Sequence, residues 1–158
     1  MFYYKQDGIV VRESTQADVE YLKDKLRTSD VQEIWASHRH TPEMALNASL
    51  ASTLCLTIDD NGVPVGMFGV TGLTVLGDEG LVWFLSSDRL KLLKIRFLRN
   101  CKKFVELMLD YYPMLYNVVD CRNTESIMWL KFIGAKFGDT MNIGEDNMPF
   151  MYFSFERK

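Results

Sequence analysis

The residue types that could do chemistry are few and scattered. His38 and His40, the two histidines of the chain, flank Arg39 just ahead of Pro42. A His-x-His pair could seed a metal site, yet no third ligand has suitable spacing, so no metal is expected. A general base is conceivable, and two surface-loop histidines are the plain alternative. Cys55, Cys101 and Cys121 form an odd set without C-x-x-C spacing, which reads as free thiols in a reducing compartment. Cys101 lies on an apolar helical stripe and Cys121 at a strand end. Neither has a histidine nearby in sequence, so both read as packing residues rather than nucleophiles. The most concentrated charge is in SSDRLKLLKIRFLRNCKK, which brings Arg89, Lys91, Lys94, Arg96, Arg99 and Lys102 onto one segment. These cations could meet an anionic group, or form the solvated face of an amphipathic helix.

The elements that must position these residues follow from periodicity. Residues 9–12 form a short β-branched run. Ser14 or Thr15 can then cap a helix carrying Val19, Leu22 and Leu26, with Asp18 approximating a capping box. Residues 31–36 suggest a second short helix, and Pro42 a start for a third over residues 43–52. Residues 54–58 and 63–70 read as a hairpin around Asp59-Asp-Asn-Gly62, and Gly66 and Gly69 suggest a bulge or a close backbone approach. Residues 77–80 read as a turn, and residues 81–85, Leu-Val-Trp-Phe-Leu, as a strand buried on both faces. Leu93, Phe97, Cys101, Phe104, Val105 and Met108 give the stripe of a long amphipathic helix, closed by Pro113. A strand over 114–119, a short helix from Asn123 to Gly134, a polar loop over 138–147 and a last strand over 150–155 complete the chain. Hairpins fill the middle and strands alternate with helices late, so the fold class is α/β: a mixed, mostly antiparallel sheet with helices on both faces.

A chain of 158 residues with 47% hydrophobic and 13% aromatic content fits one domain with a well-filled core. The expected domain is 1–158. A net charge of −3 and a pI near 5.4 do not advertise nucleic acid or membrane as a partner. No apolar run approaches the ~18 residues of a membrane span, and the start lacks the pattern of a signal peptide.

Three stretches together carry a resemblance. IVVRESTQADVEYLKDKL supplies Arg12 and Asp18 in an Arg-x-x-x-x-x-Asp pattern. IDDNGVPVGMFGV is a turn followed by a hydrophobic-Gly strand. VVDCRNTESIMWLKFIGAKF sets Asn123 at a helix start, Ser126 at +3 and Gly134 at +11. In this order they resemble the GCN5-related N-acetyltransferase (GNAT) family. The run from Trp83-Phe84 through Ser87-Asp88, and then Asn123-Thr124 to Gly134-Ala135, is further similar to a phage-encoded branch that includes the internal virion protein A of short-tailed coliphages.

The resemblance implies an acyltransferase using acetyl-CoA as co-substrate. The pantetheine arm would lie where the strand of residues 81–86 splays from that of 114–119. Leu85 and Ser86 would pair with its amides through main chain. Lys94, Arg96 and Arg99 would stand in for a phosphate-binding loop that is glycine-free here. Asn123 would hydrogen-bond the pantetheine or cap its helix. Glu79 falls where such enzymes can keep a carboxylate base, and is otherwise a turn residue, as is Glu43. The tyrosine that often serves as general acid is replaced by Leu130, and the neighbouring Trp129 is donor-only. The implied acceptor is an amine of a host protein or small molecule, and a homodimer is compatible with it. The implied setting is the cytoplasm of an infected bacterium, or the virion. The alternative is a catalytically silent relative acting in virion morphogenesis or host-protein binding.

Overall fold

In the computed structural model, which describes residues 2–72, 77–93 and 95–157, the chain opens with a hairpin that its sequence does not signal. Strands β1 (Phe2–Gln6) and β2 (Ile9–Glu13) reverse at Asp7 and Gly8, both at positive φ (56° and 81°). β1 lacks alternation because it is an edge strand. Its Tyr4 ring sets its edge against Phe97 and Phe104.

Helix α1 (Gln16–Leu22) starts at Thr15, and Asp18 closes a full capping box by accepting the Thr15 N–H at 2.8 Å. The same carboxylate receives both Arg12 terminal nitrogens at 2.9 Å and the Thr57 hydroxyl, so one residue fixes α1 to the sheet. Helix α2 (Thr28–His38) runs longer than its apolar core of residues 31–36, and ends on Arg39 in the left-handed region. Helix α3 (Pro42–Ser49) has Pro42 in its first turn and Thr41 as its cap, accepting the Met44 N–H.

Strands β3 (Leu54–Asp60) and β4 (Val63–Gly72) form the signalled hairpin, with Asn61 and Gly62 at φ 51° and 89°. Gly69 is a close-approach glycine, since a Cβ there would strike the Leu54 carbonyl. Strand β5 (Glu79–Ser86) takes in Glu79 and Gly80 of the expected turn. A 3-10 turn over Asp88–Leu92, capped by the Ser87 hydroxyl, leads to α4 (Ile95–Tyr111). Strand β6 (Met114–Asp120), α5 (Thr124–Phe132), β7 (Lys136–Ile143) and β8 (Met148–Glu156) follow. β7 replaces most of the expected polar loop. It is the far edge of the sheet and mostly exposed, so its residues carry no apolar signal.

The eight strands form one sheet in the order β1-β2-β3-β4-β5-β6-β8-β7, antiparallel throughout except for β5 and β6. The main core lies between the sheet and helices α4 and α5, around Phe68, Phe97, Phe104, Leu115, Leu130 and Phe153. A smaller core, around Val19, Leu22, Leu46, Met67 and Leu85, holds α1 and α3 on the opposite face.

Candidate functional site

Among the described residues, the one parallel pairing is also the shortest. β5 and β6 match only from Glu79↔Met114 to Leu81↔Tyr116. At the next position the Asn117 side chain replaces the ladder. Its Nδ2 donates to the Val82 carbonyl at 2.6 Å, and its Oδ1 accepts the Val118 N–H at 2.7 Å. Beyond it the strands part.

Strand alternation decides which main-chain groups face that split. The Val82 carbonyl faces it, as its bond to Asn117 shows. Ser86 faces it too, and both of its groups are engaged. Its N–H donates to Asp30 Oδ2 at 2.9 Å and its carbonyl accepts the Arg27 N–H at 2.8 Å. Leu85 turns its main chain the other way, opposite Met67 of β4. Phe84 lies between, with its N–H and C=O turned into the split and no strand opposite them among the described residues.

Helix α2 spans the mouth of the split. Its buried Arg27–Asp30 ion pair, with side chains 7% and 2% exposed, sits against the end of β5. One turn on, Glu33 reaches the other arm. Its Oε1 accepts the Asp120 N–H at the end of β6 at 2.8 Å, and its Oε2 accepts from Asn123 Nδ2 at 3.3 Å. At its far end Arg39 pairs with Glu145 and Asp146 in the β7–β8 turn. Gly144 in that turn comes so close that a Cβ would meet the Ala36 carbonyl. Carboxylates three residues apart on one helix face thus bind both diverging strand ends.

Burial pushes the Glu33 carboxyl up to about 7, with neighbouring Asp30 and Asp120 adding to the rise against the two hydrogen bonds it accepts. Burial likewise raises Asp30, outweighing Arg27. For Asp120, burial is more than offset by the Arg122 guanidinium and N–H, which hold its carboxyl below the usual range.

Behind this strap a cavity of about 420 Å³ crosses the sheet at the split. On one face it is lined by Glu33, Ile34, His38, Ala45 and Ser49. On the other it is lined by Phe68, Phe104, Met108, Trp129 and Phe153. Native interiors pack with few voids larger than a water molecule, so an apolar space of this size is the candidate ligand site. Trp129 of α5 rests on Phe84 with ring centroids 4.9 Å apart. Two buried side-chain atoms lack partners among the described residues: Trp129 Nε1 and Ser86 Oγ. Ser86 lies two residues beyond Phe84, on the same side of the strand.

The sequence candidates divide around this site. Asn123 does not line the cavity; it caps α5, its Oδ1 accepting the Ser126 N–H at 3.3 Å, and meets the strap through Glu33. Leu85 and Ser86 lie on its edge, with their main chain turned to β4 and bound by α2 respectively. Glu79 is exposed at the closed end of the strand pair and does not line the cavity. Arg96 is exposed and leans toward Asp7 of the first hairpin, 3.5 Å away. Arg99 is exposed, and Lys94 lies outside the described residues. His38 and His40 stack loosely, 5.6 Å between rings, on the cavity rim. Among the described residues no cluster could hold a metal. Sequence reasoning missed Asp30, Glu33, Asn117, the Phe84 main chain and the Trp129 N–H as site groups. Glu33 sat on a short helix with no motif around it, and its partners lie 87 and 90 residues away.

A sheet split after one short parallel pairing, with helices on both faces, is the fold of GNAT acetyltransferases. The chain superposes on a GNAT-family acetyltransferase from Bacillus anthracis over 99% of its length and 98% of that chain, with a TM-score of 0.70 at 12% identity. Ard1 from Thermoplasma volcanium matches with a TM-score of 0.71 at 15% identity, over 96% of this chain and 99% of that one. Spermidine N-acetyltransferase from Vibrio cholerae, solved with CoA and spermine, matches with a TM-score of 0.67 at 9% identity, over 96% of each chain. At such identities the likeness defines the fold. By sequence the chain belongs to the family described as "Bacteriophage T7, probable scaffold protein Gp13", which matches residues 55–141, more than half of its length. That family supports a phage connection without naming the internal virion protein A branch. No curated protein matches the chain. No helix among the described residues is long and apolar enough to cross a membrane.

Proposed function

We propose that the protein is a phage-encoded N-acyltransferase whose split strands receive the thioester arm of an acyl-coenzyme A, acetyl-CoA being the simplest. The observation that carries this reading is the 420 Å³ cavity through the split, bordered by the outward main chain of Phe84. Trp129, which lines the cavity and has a buried Nε1 without a partner among the described residues, fits an arm rich in carbonyl oxygens. When bound, the coenzyme supplies the activated acyl group. The Phe84 N–H and C=O orient the arm as a missing strand would. Glu33, close to neutral in proton affinity, accepts the proton of an amine acceptor reaching the cavity from the α2–α3 side. It suits that role better than Glu79, which stands at the closed end. Helices α2 and α3 exclude water from the reacting atoms. Asp30 and Asp120 are paired with Arg27 and Arg122, which leaves Glu33 as the mouth carboxyl without a cation of its own among the described residues, and favours a cationic acceptor, a host-protein lysine or a small polyamine. The nucleotide phosphates are left to exposed side-chain cations, Arg99 foremost.

Titration calorimetry with acetyl-CoA tests this. Binding in the micromolar range, weakened by Arg99→Glu, is expected, with Glu33→Gln sparing binding but lowering turnover of a polyamine acceptor. No binding at millimolar acetyl-CoA overturns the reading.

A second reading has its own support. Asp30, Arg27 and Glu33 occupy main-chain groups at both ends of the split, where a coenzyme arm would enter. With the family's description as a probable scaffold protein, this favours a catalytically silent module in particle assembly, associated with the virion as internal virion protein A is named to be. Co-purification with assembled particles, together with absent acetyl-CoA binding, would favour it.

A further inference from the structure

Three unmet hydrogen-bonding groups converge on one short piece of β5. Phe84 turns its main chain into the split without a strand partner. Ser86, fully buried and on the same side of the strand, has an unpartnered hydroxyl. Trp129 packs its ring on Phe84 and buries an indole N–H with no acceptor among the described residues. A buried donor whose hydrogen bond is unmade bears the full cost of its desolvation, so buried donors are seldom left orphaned. Trp129 is among the residues that line the cavity, so a ligand atom entering beside its ring is a partner for this buried N–H.

We propose that the Trp129 indole N–H is the anchor of this site and donates a hydrogen bond to an amide or thioester carbonyl oxygen of the bound arm. The inference rests on the split being an arm-binding site. An indole N–H holds an oxygen without surrendering its proton near neutral pH, so Trp129 is a binding and polarising group rather than an acid. It therefore does not replace the phenol that Leu130 lacks. Leu130 points into the core, leaving Trp129 as the α5 side chain that reaches Phe84.

The test is a proton–nitrogen correlation spectrum of the three tryptophan indoles during titration with acetyl-CoA, and separately with pantetheine, which lacks the nucleotide. Trp129→Phe identifies the Trp129 signal. Its N–H resonance is expected to move downfield, and its exchange with water to slow, with both ligands. Trp129→Phe is expected to weaken acetyl-CoA about tenfold, while Trp35→Phe, at an exposed ring, leaves affinity unchanged. A Trp129 signal that stays put while other resonances report binding overturns the anchor alone. Resonances that all stay put at millimolar acetyl-CoA overturn the site reading itself.

Discussion

β5 and β6 meet twice, and the two meetings are built differently. At the closed end, residues 79–81 pair with 114–116 through main chain, over tight apolar contacts. A Cβ on Gly80 would come within 2.6 Å of both Tyr112 and Val70. At the open end no ladder survives. Side chains join the arms instead: Asn117, Asp30, Glu33 and Asn123. A main-chain ladder is indifferent to pH and to most substitutions. A bridge of carboxylates and amides is not, and a ligand with better hydrogen bonds can displace it. The split end is therefore where binding, proton chemistry and conformational change belong.

The sharpest way to break this contrast is Asp30→Ala. It strands the buried Arg27 charge and frees the Ser86 N–H, so a loss of about 3–5 kcal/mol is expected in chemical denaturation. A loss under about 1 kcal/mol would mean the bridge is dispensable. Gly80→Ala attacks the closed end instead, and overpacking there should lower stability by about 1–3 kcal/mol. The effect should be the same at pH 5.5 and 7.5, since no titrating group is involved.

The pH dependence separates the ends. Glu33 binds its proton more tightly folded than unfolded, so the folded state holds more protons between about pH 4.5 and 7. Stability must then fall as pH rises through that window, by on the order of 3 kcal/mol, and level off above it. The groups facing Glu33 are Asp30 on its own helix, Asp120 at the end of β6, Arg122 after it, and Asn123 before α5. Asp120, held low, acts in the opposite sense and only below about pH 4. Glu33→Gln should flatten the slope from pH 5 to 7.5 in thermal melts. An unchanged slope would remove Glu33 as its source. Asn123→Ala loses the α5 cap and the bond to Glu33, for about 1 kcal/mol. Arg99→Glu, on an exposed helix face, should change stability by under about 0.5 kcal/mol; its interest lies in acetyl-CoA affinity alone.

Much of the scaffold was legible from local pattern. Asn61-Gly62, the stripe from Phe97 to Met108, and the Asn123-to-Gly134 unit each declared themselves, because turn chemistry and burial periodicity are local properties. The edge strands β1 and β7 were not legible. Each is paired on one side only, and exposed strands need no apolar alternation. The site was legible only through Asn123 and the edge of β5 at Leu85 and Ser86. Even there, which of three consecutive residues turns its main chain to the split depends on register with β4, which spacing does not reveal.

By itself the sequence determined the inner strands and helices, several of their caps and the resemblance that set the fold class, since these depend on neighbours along the chain. Only the tertiary structure decided that burial pushes Glu33 up to about 7, that α2 bridges the split, and that the Trp129 N–H has no partner among the described residues. Each depends on groups that approach from distant parts of the chain, and on how far water is excluded where they meet.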